Sequence, residues 1–145
     1  MKIVVQRCKN AKVEVDSRVV GSIDKGIMLL VGFTDTDNDT NIDYMVDKVI
    51  NLRIFDDENG VMNKSLLDTS GSILSVSQFT LYADASKGRR PSYVKALSSD
   101  KAIILYDKFN QKLKEKNIHV ETGIFGAEME VTFTNDGPIT ILLEK

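Results

Sequence analysis

The sequence has one histidine and one cysteine among its 145 residues, and that scarcity excludes much of ordinary side-chain catalysis. A Ser-His-Asp or Cys-His arrangement would have to recruit His119. That residue sits between Ile118 and Val120 in a predicted strand, and no serine follows the Gly-x-Ser-x-Gly elbow pattern. Neither a C-x-x-C nor an H-x-x-x-H spacing occurs, so there is no zinc signature. Gly-rich phosphate loops and dinucleotide fingerprints are missing too. No metal and no cofactor are therefore expected. The single Cys8 cannot form an internal disulfide, so nothing points to an oxidising compartment. Placed in a strand, it reads as a small buried hydrophobe. No apolar run approaches the roughly 18 residues of a membrane span. Residues Met1–Arg7 carry charge where a signal peptide would have its apolar region. The default expectation is a cytoplasmic protein. Repeats, low-complexity tracts and linkers are absent, so one domain over residues 1–145 is expected.

The sequence has 42% hydrophobic and 28% charged residues, ordinary proportions for a globular domain. A net charge of −2 argues against wide contact with nucleic acid, which calls for a basic surface. One window departs from that average. Lys87, Arg89, Arg90 and Lys95 are grouped with no acidic side chain between them. Such a cluster is read equally as a solvated loop or as a grip on phosphate at one end of an RNA.

Periodicity supplies the elements. Lys2–Cys8 is a candidate strand, and Lys12–Asp16 alternates polar with apolar. Asp16-Ser17 is a turn into Arg18–Ile23, and the uncharged run Ile27–Phe33 is expected of a central strand covered on both faces. The polar break Thr34–Thr40 lacks the glycine and closing glutamate of a calcium loop, and is read as a capped loop. Ile42, Met45, Val46, Val49 and Ile50 recur at helical spacing over Asn41–Leu52. Asn59-Gly60 marks a hairpin. A second helix follows Ser98-Ser99-Asp100, whose side chains are expected to cap it. His119–Thr122, Glu128–Thr134 and Ile139–Leu143 read as strands. Strands lead, two helices interrupt and strands return, which favours an α+β fold over a doubly wound parallel sheet.

One strand stands out. Ser72–Tyr82 is rich in β-branched and aromatic residues, yet Ser77, Gln78 and Thr80 put polar side chains at its end. Unpaired, each costs about 1–3 kcal/mol when buried, so the cluster is hydrogen-bonded, enters solvent, or is open to a ligand. Ser77 and Thr80 are weak nucleophiles without a base. Backbone N–H groups of the Gln78-Phe79-Thr80 segment are the better candidates for stabilising an oxyanion.

The segment Ser77-Gln78-Phe79-Thr80-Leu81 resembles the signature motif of the D-aminoacyl-tRNA deacylases. Asn135-Asp136-Gly137-Pro138-Ile139-Thr140 resembles that family's second signature. Gln6-Arg7, Leu52–Phe55, Gly88–Ser92 and Thr122–Ala127 are similar to further family segments, in the same order along the whole chain. Tyr93, Ile139 and Cys8 depart from the commoner family residues, and none lies within Ser77–Leu81 or alters Gly137-Pro138.

The resemblance implies a β-barrel-like sheet flanked by two main helices, in a homodimer. It also implies an esterase acting on the 3′ end of aminoacyl-tRNA. Phe79 and Thr80 would lie at the reacting carbonyl beside Ser77 and Gln78, assisted by the 2′-hydroxyl of the terminal adenosine. A cis Gly137-Pro138 loop would enter the partner's site, braced by Arg7, and exclude L-residues by their Cβ. Glycine, having none, would be accepted. Met129 would line the pocket or simply join the core, Phe125 would stack on adenine, and Arg7 is otherwise a strand-edge charge. Two other readings stand beside this one. One is an L-aminoacyl editing module of the threonyl-tRNA synthetase type, and the other is a non-catalytic binder of RNA 3′ ends.

Overall fold

A computed structural model describes residues 1–145. Two long strands, β1 (Lys2–Val15) and β2 (Arg18–Gly32), form an antiparallel hairpin. Asp16 and Ser17 turn it with φ of 49° and 61°, the left-handed pair that suits a two-residue hairpin loop. Helix α1 (Asp39–Asn51) and the small hairpin of β3 (Phe55–Asp56) and β4 (Met62–Lys64) follow. Strand β5 (Ser72–Ser77) then returns parallel to β2. A 3-10 turn (Phe79–Tyr82), helix α2 (Ser99–Glu115), β6 (Val120–Thr122) and β7 (Glu130–Glu144) complete the chain. The main sheet runs β6-β5-β2-β1-β7.

Four expected N-terminal strands are thus two, because the irregularities near Asn10 and Val13 bend β1 without ending it. Likewise the expected strands Glu128–Thr134 and Ile139–Leu143 are joined in one strand, β7, which begins at Glu130. The Asp136–Ile139 segment bulges out of its ladder with β1 where the register shifts between Gln6 and Cys8. The barrel-like expectation also needs correction. Closure requires the two edge strands to pair, but β6 bonds only β5 over three residues and β7 bonds only β1. The sheet is open.

Alternation along the sheet feeds two apolar clusters. Ile3, Val5, Ile27, Leu29, Val31 and Ile73 pack with Met45 and Val49 of α1 and Phe109 and Leu113 of α2. Cys8, Val13, Met28, Leu74 and Val76 form the smaller cluster. The apolar run in β2 is therefore divided between the two, as a strand covered on both faces requires. Burial pushes the Cys8 thiol up to about 12, so it is an inert core residue. Gly26, with φ +151°, permits the parallel pairing to begin. A Cβ there would stand 1.9 Å from the Ser72 carbonyl oxygen.

The two helices start differently. Asn38 caps α1 with a reciprocal capping box: its side chain accepts from Thr40 N and Asn41 N, and its own N–H donates to the Asn41 side chain. Ser98 precedes α2 but makes no capping bond, so the serine-rich signal marked the helix start without supplying a cap. Asn38→Ala is expected to cost about 1 kcal/mol in urea unfolding, whereas Ser98→Ala stays within about 0.5 kcal/mol of wild type.

Candidate functional site

The carboxyl ends of the parallel strands β2 and β5 open into a cavity of about 580 Å³. Val31, Gly32 and Phe33 come from β2 and its exit, and Val76 and Ser77 from β5. Ser99 and Ala102 approach from the start of α2, and Phe125, Gly126, Ala127 and Met129 from the loop before β7. The lining is mostly apolar with a few polar groups, the usual character of a small-molecule site.

The organising strand ends earlier than its pattern implied. Gln78 N–H donates to the Val31 carbonyl at 2.7 Å, the last bond of the parallel ladder. The backbone at Gln78 then leaves the sheet (φ −146°, ψ 84°), and Phe79–Tyr82 coils into a 3-10 turn. This change decides which backbone donors are free. The Gln78 N–H is committed to the sheet. Phe79 and Thr80 occupy the first two positions of the turn, where helical N–H groups have no acceptor within the helix. The first bond inside the turn runs from Leu81 N–H to Gln78 O at 3.3 Å.

Gly32 makes this arrangement possible. A Cβ at that position would lie 2.8 Å from the Gln78 carbonyl oxygen and 3.3 Å from Leu81 Cβ. The periodicity of Ile27–Phe33 carried no sign of that role. Ala96, Leu97 and the start of α2 also lie outside every motif, because the chain fold alone brings them to the strand ends.

Ser77, Gln78, Phe79, Phe125 and Met129 all line the cavity. Thr80 does not, and its hydroxyl accepts a bond from the Gln78 amide at 2.5 Å. Phe79 is 56% exposed and meets Tyr93 edge to face, with ring centroids 5.1 Å apart. Phe125 also leans on Tyr106 of α2, whose hydroxyl donates to the Ser75 carbonyl at 2.8 Å. His119 stands apart, 63% exposed and 3.2 Å from Glu121. No cluster of three His, Cys, Asp or Glu side chains is placed to hold a metal, and no helix is long and apolar enough to cross a membrane.

Lys87, Arg89 and Arg90 are exposed in the loop after the 3-10 turn and form no ion pair. Lys95 differs. The Asp84–Ser92 bridge folds the loop back and sets Asp84 3.7 Å from the Lys95 ammonium.

Gly137-Pro138 is cis, exposed, and outside this cavity. Arg7, only 8% exposed, fastens the segment just before it. Its guanidinium donates to the Ile54 carbonyl at 2.8 Å and the Asp136 carbonyl at 3.3 Å, and pairs with the Asp136 carboxylate at 3.2 Å. Arg7 is thus a buried brace, not a strand-edge surface charge. It pairs with Ile27, while in β2 the cavity lining begins at Val31.

The model of the family described as D-Tyr-tRNA(Tyr) deacylase matches residues 4–144. A D-aminoacyl-tRNA deacylase of Bacillus velezensis is 56% identical over 144 residues, covering 99% of this chain and 98% of the relative. One from Thermus aquaticus is 51% identical, with 99% and 95% covered. The chain belongs to the D-aminoacyl-tRNA deacylase family. Its fold matches a solved structure of c-Myc DNA Unwinding Element Binding Protein with a TM-score of 0.94, at 39% identity over 100% of this chain and 99% of that one. A probable eukaryotic D-amino acid tRNA deacylase shares the fold with a TM-score of 0.83 at 20% identity. In this deacylase-family chain, the first signature forms the cavity lip and the second forms an exposed loop some distance away.

Two tests follow from this geometry. Gly32→Ala forces the Gln78 carbonyl, and with it the following turn, away from β2. Deacylation by the variant is expected to fall about a hundredfold, the loss that a 1 Å misplacement causes, with circular dichroism confirming the fold. The second concerns the Arg7–Asp136 brace. The hydrogen bond from Lys9, then the charges of Arg7 and Lys9, hold the Asp136 carboxyl below the usual range. A depressed carboxylate stabilises the fold fully above its unfolded pKa of about 4, and that contribution is lost as pH falls through the folded value. Asp136→Asn should therefore lower the urea midpoint at pH 7, with the gap from wild type closing toward pH 3.

Proposed function

We propose that this chain hydrolyses the ester joining a D-amino acid to the 3′-terminal adenosine of tRNA, without a cofactor. The observation that carries this reading is the 3-10 turn at the cavity lip. It opens with the free N–H groups of Phe79 and Thr80 beside Ser77 and Gln78. An aminoacyl ester is activated by the neighbouring ribose hydroxyl and by its ammonium group, so it needs oxyanion stabilisation more than a nucleophilic triad. Water adds to the carbonyl carbon and the oxyanion is held by backbone donors, each contributing about 100–1000-fold. The bond to the 3′-oxygen then breaks and that oxygen takes a proton, with the 2′-hydroxyl assisting. The Thr80 hydroxyl, held by the Gln78 amide, acts by fixing the turn.

The chiral filter follows from the second signature. Gly137-Pro138 is exposed and does not line the cavity of its own chain, so the reading takes an isologous homodimer in which the loop enters the partner's site. There it holds the substrate ammonium and leaves no room for an L-residue's Cβ. Glycine passes the filter. Met129 and Phe125 line the adenosine side of the cavity, and Lys87, Arg89, Arg90 and Lys95 meet phosphates of the acceptor end. The place of action is the cytoplasm, where charged tRNA is used. A second reading, a nucleic-acid binder without chemistry, is favoured by the name of the 39% identical structure.

Metal-free incubation with D-tyrosyl-, L-tyrosyl- and glycyl-tRNA separates these readings. Loss of the D-ester and glycine with the L-ester spared is the expected result. Loss of the L-ester instead indicates editing of the threonyl-tRNA synthetase type, and survival of all three esters with tRNA bound leaves the binder. Thr80→Ala is expected to slow D-ester cleavage about tenfold and Thr80→Val similarly, whereas an unchanged rate would remove the hydroxyl from the mechanism. Sedimentation is expected to give twice the chain mass of 16.2 kDa.

A further inference from the structure

A second cavity, of about 270 Å³ and polar, shares Phe125 with the first. Asp107, Asn110, Gln111 and Lys114 line it from one face of α2, at the three- and four-residue spacings that put side chains in one row. Thr122 and Gly123 complete the wall. Neither Asp107 nor Lys114 forms an ion pair or a side-chain hydrogen bond, and the Gln111 amide makes only a long 3.4 Å bond to Glu115. Asn110 is 5% exposed and its Oδ1 has no hydrogen-bond partner. Buried amide oxygens left unpaired are costly, so this wall has acceptor and donor capacity that the fold itself does not use.

We propose that this cavity receives the base of the nucleotide preceding the terminal adenosine, which in tRNA is a cytosine. The inference rests on the deacylase reading of the main cavity. Phe125 is the one residue that lines both cavities. Consecutive unstacked bases of a single strand commonly lie against such a ring. With the terminal adenosine in the main cavity, its neighbour falls to the second, which shares that ring. The lining matches cytosine: its exocyclic amino group donates to the Asp107 carboxylate, and carboxylates are established acceptors from that group. Its ring nitrogen and carbonyl oxygen accept from the Gln111 amide and the Lys114 ammonium. Uracil would turn a carbonyl oxygen toward the carboxylate and lose that match. The small volume admits a base but not a duplex.

The test compares two substrates, D-tyrosyl-tRNA and D-tyrosyl-adenosine, which lacks the preceding nucleotide. Gln111→Ala combined with Lys114→Ala changes two exposed side chains and leaves the catalytic turn intact. The double variant is expected to raise KM for the tRNA about tenfold with kcat kept, and to cleave D-tyrosyl-adenosine as wild type does. Replacing the penultimate cytidine by uridine should raise KM about tenfold for wild type and add little in the variant, the non-additivity of two groups in contact. An equal loss on both substrates would reduce the cavity to a support for Phe125. No loss on either, or a uridine penalty unchanged in the variant, would overturn the proposal outright. If wild type spares both D-esters, the deacylase reading falls on its own. Affinity for uncharged tRNA bearing cytidine or uridine then decides the cytosine pocket independently.

Discussion

The hydrogen bond from Gln78 N–H to the Val31 carbonyl is the contact on which the site depends. It is the last rung between two parallel strands, and beyond it the backbone has no ladder to follow. Because Gly32 offers no Cβ, the chain turns tightly against β2 and coils at once. Phe79 and Thr80 open the turn, where N–H groups have no acceptor within it, and Ser77, Gln78 and Phe79 line the cavity beside it. The rim is thus shaped by backbone geometry, and the one histidine, His119, stands apart from it beside Glu121.

The second signature obeys a different constraint. Arg7 is buried with its charge, a placement that is stable only when the guanidinium is well paired. Carbonyl oxygens of Ile54 and Asp136 and the Asp136 carboxylate meet that need. The same contacts anchor the bulge in β7, so the exposed Gly137-Pro138 segment projects from a rigid base.

Much of this was legible in the residues. The first helix follows from its apolar spacing and the second from its Ser98-Ser99-Asp100 start, and the turn at Asp16-Ser17 and the hairpin at Asn59-Gly60 follow from their turn residues. Ser77–Thr80 was marked by polar side chains where a core strand would be apolar. Three features were not legible. The end of β5 at Ser77 is set by where its partner β2 ends, and local propensity carries no information about that. The continuity of β1 and of β7 depends on bulges, which look like strand breaks in a periodic pattern. The second cavity joins a helix face to a loop distant in sequence, and Asp107, Asn110, Gln111 and Lys114 alone resemble any solvated helix face.

The order of strands also fixes when the site can exist during folding. The β1–β2 hairpin closes over two residues and is cheap in loop entropy. Strand β5 must find β2 across all of α1 and the β3–β4 hairpin, a non-local and therefore slow step. The Gln78–Val31 bond is the far end of that late pairing. A partly folded chain can thus hold much of its β structure and both helices while having no cavity rim at all. Activity then reports completion of the parallel pairing more faithfully than any measure of secondary structure.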